Sequence, residues 1–389
     1  MKKRKGKVQM LRVNVKPKLL QWARGRSGLD VDELQTRFPK LMDWEQGQSM
    51  PTFKQLEALA KALFVPIGYL LLSEPPEEQI PIPDMRTVGS TLLEQPSPDL
   101  LDVLYLCQRR QAWYRDYARS IGEEPRPYVG SVKINASAKK TAETIRHALK
   151  FDLEERRRFP TWTEALRRFI EQAEHLGVLV MVSGVVGSNN KRKLNPEEFR
   201  GFALADDLAP LVFINGSDSK AAQMFTLAHE LAHIWLGKSA LSDVNPYSIP
   251  SHQIERWCNQ VAAEILAPLE AIKESLPSTK PLGAMQDLAR RFKVSTLVIL
   301  RRIFDAERIT WEAFQTAYKQ ENERLQNITK PSGGDFYLTQ EARASKRFVR
   351  ALVVNTLEGQ TLYREAFQLL GIKKEQTFIE FGNRMGVPL

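Results

Sequence analysis

Five consecutive residues, His229-Glu230-Leu231-Ala232-His233, combine two imidazoles and a carboxylate at the spacing of one helical turn. At about 100° per residue on a helix, His229, Glu230 and His233 fall within an arc of roughly 100°. Two neutral imidazoles one turn apart can share a tetrahedral cation, and the glutamate between them is placed to take a proton from water beside that cation. The spacing therefore predicts a hydrolytic zinc site.

The flanking residues predict that this segment is a buried helix. Ser217 or Asp218 can cap its start, Gly237 can end it, and apolar residues cover most of its faces. The alternative is a chance match on a structural helix, in which each histidine simply finds a hydrogen bond. A third ligand nearby in the sequence would favour the metal site over this alternative.

A second helix is predicted over residues 254–266, after a turn-rich stretch and before Pro268. The intervening loop lets this helix fold back antiparallel on the first one. Glu255 and Asn259 lie one turn apart on one face, so Glu255 can complete the metal triad while Asn259 hydrogen-bonds a ligating histidine. Glu264 is the rival ligand, and a solvated Glu255 on an ordinary helix is the simpler alternative.

Other polar residues are candidates for stabilising the oxyanion of the transition state or are expected to be structural. His252 precedes the Glu255 helix and could donate to an oxyanion, and Tyr247 in the same loop is the other candidate for that role. His147 and His175 lie on helices far along the chain from the site and are expected to be structural or exposed. The group that stabilises the transition state stays open between His252 and Tyr247.

The two helices share a longer pattern, Phe225-Thr226-Leu227-Ala228-His229-Glu230-Leu231-Ala232-His233 followed by Glu255-x-x-Cys258-Asn259-x-x-Ala262-Ala263-x-x-Leu266-x-Pro268. This pattern resembles the ImmA/IrrE-type metallopeptidases over roughly residues 140 to 310. The resemblance implies a reduced thermolysin-like (gluzincin) fold in which His229, His233 and Glu255 bind Zn²⁺ and Glu230 is the catalytic base. Met224 stands where many relatives have a basic residue.

The same resemblance implies a biological role. Its members are associated with cleaving or inactivating repressors in stress and mobile-element responses, so the expected substrate is a regulatory protein such as a repressor or an antitoxin partner. The competing class is a DNA-binding transcriptional regulator or antitoxin whose zinc site is structural or sensory. Salt-dependent promoter binding without cleavage would favour that second class.

Length and composition indicate several compact cores and no membrane span. The 389 residues are 43% hydrophobic and 26% charged, and no apolar run approaches the roughly 18 residues that a span needs. Cys107 and Cys258 are too few and too scattered for a disulfide framework, and no apolar signal segment follows the basic start, so the cytoplasm is the expected location. The net charge of +10 indicates an acidic partner such as nucleic acid, or simply a basic protein.

The N-terminal region is predicted to be a unit of short helices. They are expected near Lys16–Arg26, Val31–Arg37, Lys40–Glu45, Phe53–Phe64 and Ile67–Leu72. Residues 44–61 resemble the latter half of XRE-type helix-turn-helix domains, but too few residues separate Leu34 from Trp44 for a full turn and a full recognition helix. A shortened recognition helix reads fewer base edges, so DNA binding and a protein-binding helix bundle both stay open.

The order of the predicted elements indicates the α+β class. Helices near Ala138–Leu149 and Trp162–Leu176 precede strands at 178–182 and 211–214, with 199–205 as a partner strand, and the metal helix follows. One of these strands could be the exposed edge along which a metallopeptidase holds its substrate, although simple pairing in the core is equally compatible.

Four regions are expected along the chain. They are a helix-turn-helix-like domain at 1–75, a linker and connecting helix at 76–136, a metallopeptidase domain at 137–330 and a helical C-terminal region at 331–389. The first boundary is the clearest, because four prolines between Ser73 and Pro83 favour extended structure.

Overall fold

The computed structural model describes residues 11–86, 96–242, 252–326 and 343–387. The chain divides into two compact units, residues 1–80 with 94–101 and residues 81–93 with 102–389. Within the described ranges, no helix combines the length and apolar character that a membrane span requires. Each unit encloses a hydrophobic core of its own.

The first unit consists of short helices joined by tight turns. They are α1 (Pro17–Ser27), α2 (Val31–Arg37), α3 (Leu41–Glu45), α4 (Phe53–Ala62) and a 3₁₀ helix at Ile67–Leu71. The predicted helices are confirmed, including the short third one, whose Trp44 is buried in the core. Side-chain caps explain two of the starts, because Asp30 accepts from the amide of Asp32 and Thr52 forms a capping box with Gln55.

The helices that follow are α5 (Pro98–Ser120), α6 (Ala138–Leu149), α7 (Leu153–Arg158), α8 (Trp162–His175), α9 (Lys220–Leu236), α10 (Gln253–Leu266), α11 (Leu269–Ser275), α12 (Met285–Phe292), α13 (Thr296–Asp305), α14 (Trp311–Gln326), α15 (Lys346–Leu357), α16 (Tyr363–Leu370) and α17 (Glu375–Arg384), with a further 3₁₀ helix at Pro281–Ala284. The strands are β1 (Leu179–Ser183), β2 (Val185–Val186), β3 (Asn189–Lys193), β4 (Gly201–Leu204), β5 (Leu211–Asn215) and β6 (Ala240–Leu241).

A four-stranded mixed sheet in the order β1-β5-β4-β6 supports the second unit. Strand β1 runs parallel to β5, whereas β4 is antiparallel to both β5 and β6. Strands β2 and β3 form a separate antiparallel pair. The α+β class and the three predicted strands are confirmed. Strands β2, β3 and β6 were not predicted, because β2 and β6 have only two residues each and β3 is a continuous polar segment, so none of them shows the alternation of a half-buried strand.

The N-cap of helix α9 lies two residues after Ser217 and one residue after Asp218, the two caps that the sequence predicted. Ser219 is its N-cap, and its hydroxyl accepts a hydrogen bond from the amide of Ala222 at 3.2 Å. The prediction of Ser217 or Asp218 as the cap was wrong, because the Ser217 hydroxyl instead donates to the carbonyl of Gly184 at 3.0 Å. The buried helix that the sequence predicted is confirmed, since every residue from 223 to 236 is buried.

Gly237 ends α9, as predicted. Its φ of 65° lies in the left-handed region that favours glycine, and a Cβ there would lie only 2.8 Å from the Cα of Gly130. The segment containing Gly130 also donates backbone hydrogen bonds to the carbonyls of Ile234 and Trp235. The last turn of α9 is therefore held on its outer side by backbone contacts.

The end of the proline-rich segment extends the sheet beside β6. Leu241 donates its amide to the carbonyl of Pro83 and accepts from the amide of Met85, both at 2.9 Å. The Arg86 side chain pairs with Asp84 at 2.7 Å and donates to the carbonyl of Glu198 at 3.1 Å, which ties the segment to the loop before β4. The short strand β6 is therefore paired on both sides.

The C-terminal helices α15 to α17 pack against one another and are tied to α5. The buried guanidinium of Arg110 donates to the carbonyl of Leu369 at 2.8 Å and to that of Arg343 at 2.6 Å. Arg347 in turn donates to the hydroxyl of Tyr114 at 2.7 Å. The described part of the predicted helical C-terminal region, residues 343–387, thus belongs to the second unit.

Candidate metal centre

Helices α9 and α10 pack against each other and bring four of the predicted residues together. His229, Glu230 and His233 come from α9, and Glu255 comes from the first turn of α10. All four side chains are fully buried, with no exposed surface. Since buried charged and polar groups need partners, this cluster is costly unless its members bind one another or a common ion.

The three predicted ligands point their donor atoms at one position. His229 Nε2 lies 3.2 Å from Glu255 Oε2, His233 Nε2 lies 3.0 Å from Glu255 Oε1, and the two Nε2 atoms are 3.2 Å apart. Ligands about 2.0–2.1 Å from a tetrahedral zinc ion are separated by roughly 3.3 Å. The measured separations match such edges, so these residues fit a single small divalent cation.

Asn259 orients the first imidazole. Its Oδ1 lies 2.9 Å from His229 Nδ1, an arrangement in which the ring donates its Nδ1 proton to the amide. The lone pair of Nε2 is then directed toward Glu255 and His233. Hydrogen bonds of this kind fix the tautomer of a metal-binding histidine. For His233, no partner of Nδ1 is found in the described part of the chain.

The pKa shifts of His233 and Glu255 favour the forms that bind a cation, whereas that of His229 does not. Burial lowers the pKa of His233. Burial also acts to lower the pKa of His229, but the adjacent Glu255 carboxylate outweighs it and the pKa is raised. Burial acts to raise the pKa of Glu255, yet the two imidazoles hold it at about 2. An ionised carboxylate and a neutral imidazole are the forms that bind a cation.

Glu230 lies beside this triad without being part of it. Its Oε2 accepts a hydrogen bond from the hydroxyl of Ser242 at 3.1 Å, and its Oε1 has no partner among the described residues. Burial raises the pKa of Glu230 to about 8. A carboxylate with one anchored and one unengaged oxygen, and with a pKa near neutrality, is suited to accept and return a proton.

Close packing against the sheet sets the position of Glu230. A Cβ on Gly201 of β4 would lie 2.5 Å from Thr226 Cγ2, 2.7 Å from the carbonyl oxygen of Phe213 and 3.2 Å from Glu230 Oε1. The absence of a side chain at Gly201 thus lets α9 approach β4 closely. The carboxylate of Glu230 therefore lies directly against β4 at Gly201.

Two site residues were missed by the sequence reasoning. Cys258 on α10 is fully buried, and its Sγ lies within 4.8 Å of ligand atoms of both His229 and His233. Its position one turn after Glu255 was a usable signal. Ser242 directly follows β6 and had no signal, because only the pairing of that short strand brings its hydroxyl to Glu230.

The other predicted candidates have different surroundings. The carboxylate of Glu264, the rival ligand, pairs with Arg302. His252 is the N-cap residue of α10 with an exposed side chain, and Tyr247 lies outside the described residues, so an oxyanion role for either stays a prediction. His147 and His175 are exposed, in line with the prediction that they do not bind the metal.

The part of the chain that carries this site matches a known protein family. Residues 173–304 match the peptidase family described as the IrrE N-terminal-like domain. Over this range the chain is similar to the ImmA/IrrE-type metallopeptidases. The matched range includes the whole four-stranded sheet together with α9 and α10, so the family match covers every residue of the candidate metal centre.

A relative of this domain is the radiation response metalloprotease IrrE of Deinococcus radiodurans. The two sequences are 40% identical over 91 residues, which is 22% of this chain and 28% of the relative. The alignment therefore spans little more than a quarter of that protein's length. Residues 344–384 match a second family, described as a domain of unknown function, and this range includes the whole of α15, α16 and α17.

Proposed function

We propose that this protein is a zinc-dependent metalloendopeptidase. The observation that carries the proposal is the convergence of His229 Nε2, His233 Nε2 and the Glu255 carboxylate within 3.0–3.2 Å of one another, next to Glu230. In this proposal His229, His233 and Glu255 hold the zinc ion. Asn259 and Ser242 position the groups that act.

Zinc bound by three protein ligands supplies Lewis-acid polarisation of the scissile carbonyl and lowers the pKa of water toward about 7. Glu230 supplies the proton transfers. Its Oε1 takes the proton of the attacking water, and the same carboxyl returns it to the nitrogen of the leaving amine. The hydrogen bond from Ser242 holds Oε2 during both steps, so that Oε1 keeps its orientation.

The proposed substrate is a regulatory protein, such as a repressor or the partner in an antitoxin system. The resemblance to the ImmA/IrrE-type peptidases supports this choice, as does the name of the relative, which places that protein in a radiation response. A folded regulator would have to offer an extended segment, because metallopeptidases bind substrate backbone as an added strand.

The direct test replaces Glu230 by Gln and incubates the purified protein with the products of neighbouring genes. We expect zinc to be retained and cleavage to fall by about 10²–10⁴-fold, the usual contribution of a general acid–base residue. Glu174→Gln is the matched control, because Glu174 is another buried glutamate of the same unit that does not contact the metal centre. Full cleavage by the Glu230→Gln variant would refute the assigned role.

A second candidate is a DNA-binding regulator or antitoxin whose metal is structural or sensory. Cys258 favours it, because a fourth donor beside the triad is typical of closed structural zinc sites. The short helix α3 would then contact DNA less extensively than a full recognition helix. Salt-dependent binding of the protein to its own promoter, with no cleavage of any candidate protein, would support this function over the peptidase.

A further inference from the structure

Helix α10 presents three adjacent side chains toward the imidazoles. Glu255 lies between Cys258 and Asn259 on the helix surface, since residues three and four positions apart share a face. Asn259 contacts the Nδ1 side of His229. Cys258 is placed on the other flank of Glu255, and its Sγ forms a compact group with the ligand atoms of His229 and His233, all within 4.8 Å of one another.

The number of donors matters for the chemistry of the site. Catalytic zinc sites have three protein ligands and an open position, whereas structural sites are closed by four. With Cys258, this centre has four donors of types that zinc accepts, and a thiolate is the softest of them.

We propose that Cys258 is a fourth metal ligand in the resting protein and completes a two-histidine, glutamate and cysteine set. The inference rests on the proposed metal centre. When the metal–sulfur bond forms, the thiol releases its proton to solvent, and no electron is transferred. Cys258 then occupies the position that substrate hydrolysis needs, so the resting protein is a latent peptidase until the sulfur leaves or the coordination expands.

Cys107 provides the contrast within the same unit. It is equally buried, but its Sγ contacts Met181 Sδ at 3.8 Å, and Arg110 contacts the same Met181 sulfur at 3.4 Å. Such a cysteine packs as a small apolar residue. The chain has two cysteines, so removing Cys107 leaves Cys258 as the single thiol.

X-ray absorption on the zinc-loaded full chain tests the inference without any variant. We expect one sulfur scatterer at about 2.3 Å together with nitrogen and oxygen scatterers near 2.0–2.1 Å. A first shell of nitrogen and oxygen alone would overturn ligation by Cys258. Cobalt substitution gives a second reading, because a thiolate ligand adds a sulfur-to-cobalt charge-transfer band that should persist in Cys107→Ala and vanish in Cys258→Ala.

Zinc affinity and the rate of peptide hydrolysis, measured on Cys258→Ala, test the latent state. Loss of a residue that only supports a metal ligand typically weakens metal binding by about 10–100-fold, so Cys258→Ala should weaken zinc binding at least that much. The same variant should nevertheless hydrolyse substrate faster per bound zinc ion. Unchanged affinity and slower hydrolysis would refute the latent state. A wild-type chain that binds no metal would refute the proposed peptidase as well, whereas bound metal without sulfur refutes only the role of Cys258.

Discussion

Gly201 provides the sharpest structural test of how the metal helix is positioned. An alanine there places its Cβ 2.5 Å from Thr226 Cγ2 and 2.7 Å from the carbonyl oxygen of Phe213, both closer than carbon atoms in proteins approach. The Phe213 oxygen belongs to β5, the strand paired with β4, and cannot rotate away. Thr226 belongs to α9, so relief of the Thr226 contact requires α9 to move off the sheet, carrying Glu230 with it.

The expected cost follows from overpacking. Inserting a methyl group into a packed core usually costs about 1–3 kcal/mol. A loss of about 2 kcal/mol lowers the melting temperature by roughly 4–8 °C for a domain of 150–250 residues. Catalysis should suffer more than stability, because a misplacement of about 1 Å can cost about 10²-fold in rate.

Calorimetry and a cleavage assay on Gly201→Ala measure both effects. Gly283→Ala is the matched control, since a Cβ on Gly283 meets no atom within 4 Å and should be neutral or slightly stabilising. Adding Thr226→Ser to Gly201→Ala removes the methyl of the first contact and should recover part of the loss. A Gly201→Ala protein that melts and cleaves like wild type would refute the close approach of α9 to β4.

Three further predictions concern Asn259, Glu174 and Arg302. Asn259→Ala should weaken zinc binding by about 10–100-fold in a competition titration, because the Nδ1 proton of His229 loses its acceptor. Burial raises the pKa of Glu174 to about 7, above its unfolded value of about 4.3. The stability that protonated Glu174 contributes is therefore complete at low pH and is lost as pH rises through about 7. Melting curves of Glu174→Gln should lack this loss. Arg302→Met should cost about 3–5 kcal/mol in denaturant unfolding, because it leaves the carboxylate of Glu264 without its partner.

Two of these predictions have a control variant, and the third has an outcome that would contradict it. Gln260→Ala, at the exposed position after Asn259, should leave zinc affinity unchanged. Arg290→Met removes an exposed ion pair of α12 and should change stability by at most about 1 kcal/mol. For Glu174, a wild-type protein whose melting temperature does not fall relative to Glu174→Gln between about pH 4 and pH 8 would contradict the assigned charge state.

Local patterns in the sequence were sufficient to predict the helices that carry the candidate ligands. The spacing of His229 and His233 follows from one helical turn, and Glu255 and Asn259 follow from the same rule on a second helix. The sequence-based assignment of Glu264 as the weaker ligand candidate agrees with its pairing to Arg302 in the structure. The roles of these residues in metal binding, and the fourfold division of the chain into domains, stay predictions.

Tertiary contacts explain what the sequence could not predict. Ser242 reaches Glu230 only because the two-residue strand β6 pairs with β4, and the close approach at Gly201 depends on where α9 rests on the sheet. The count of two scattered cysteines argues against a disulfide framework, but it says nothing about whether Cys258 lies near the imidazoles. Its helical phase relative to Glu255 carried the information that the cysteine count did not.

Elemental analysis of the wild-type protein, purified without chelator, tests the central claim most directly. If His229, His233 and Glu255 hold one cation, the analysis should find one zinc ion per chain, and His233→Ala prepared in parallel should have lost it. A folded wild-type chain that contains no stoichiometric transition metal would contradict the account.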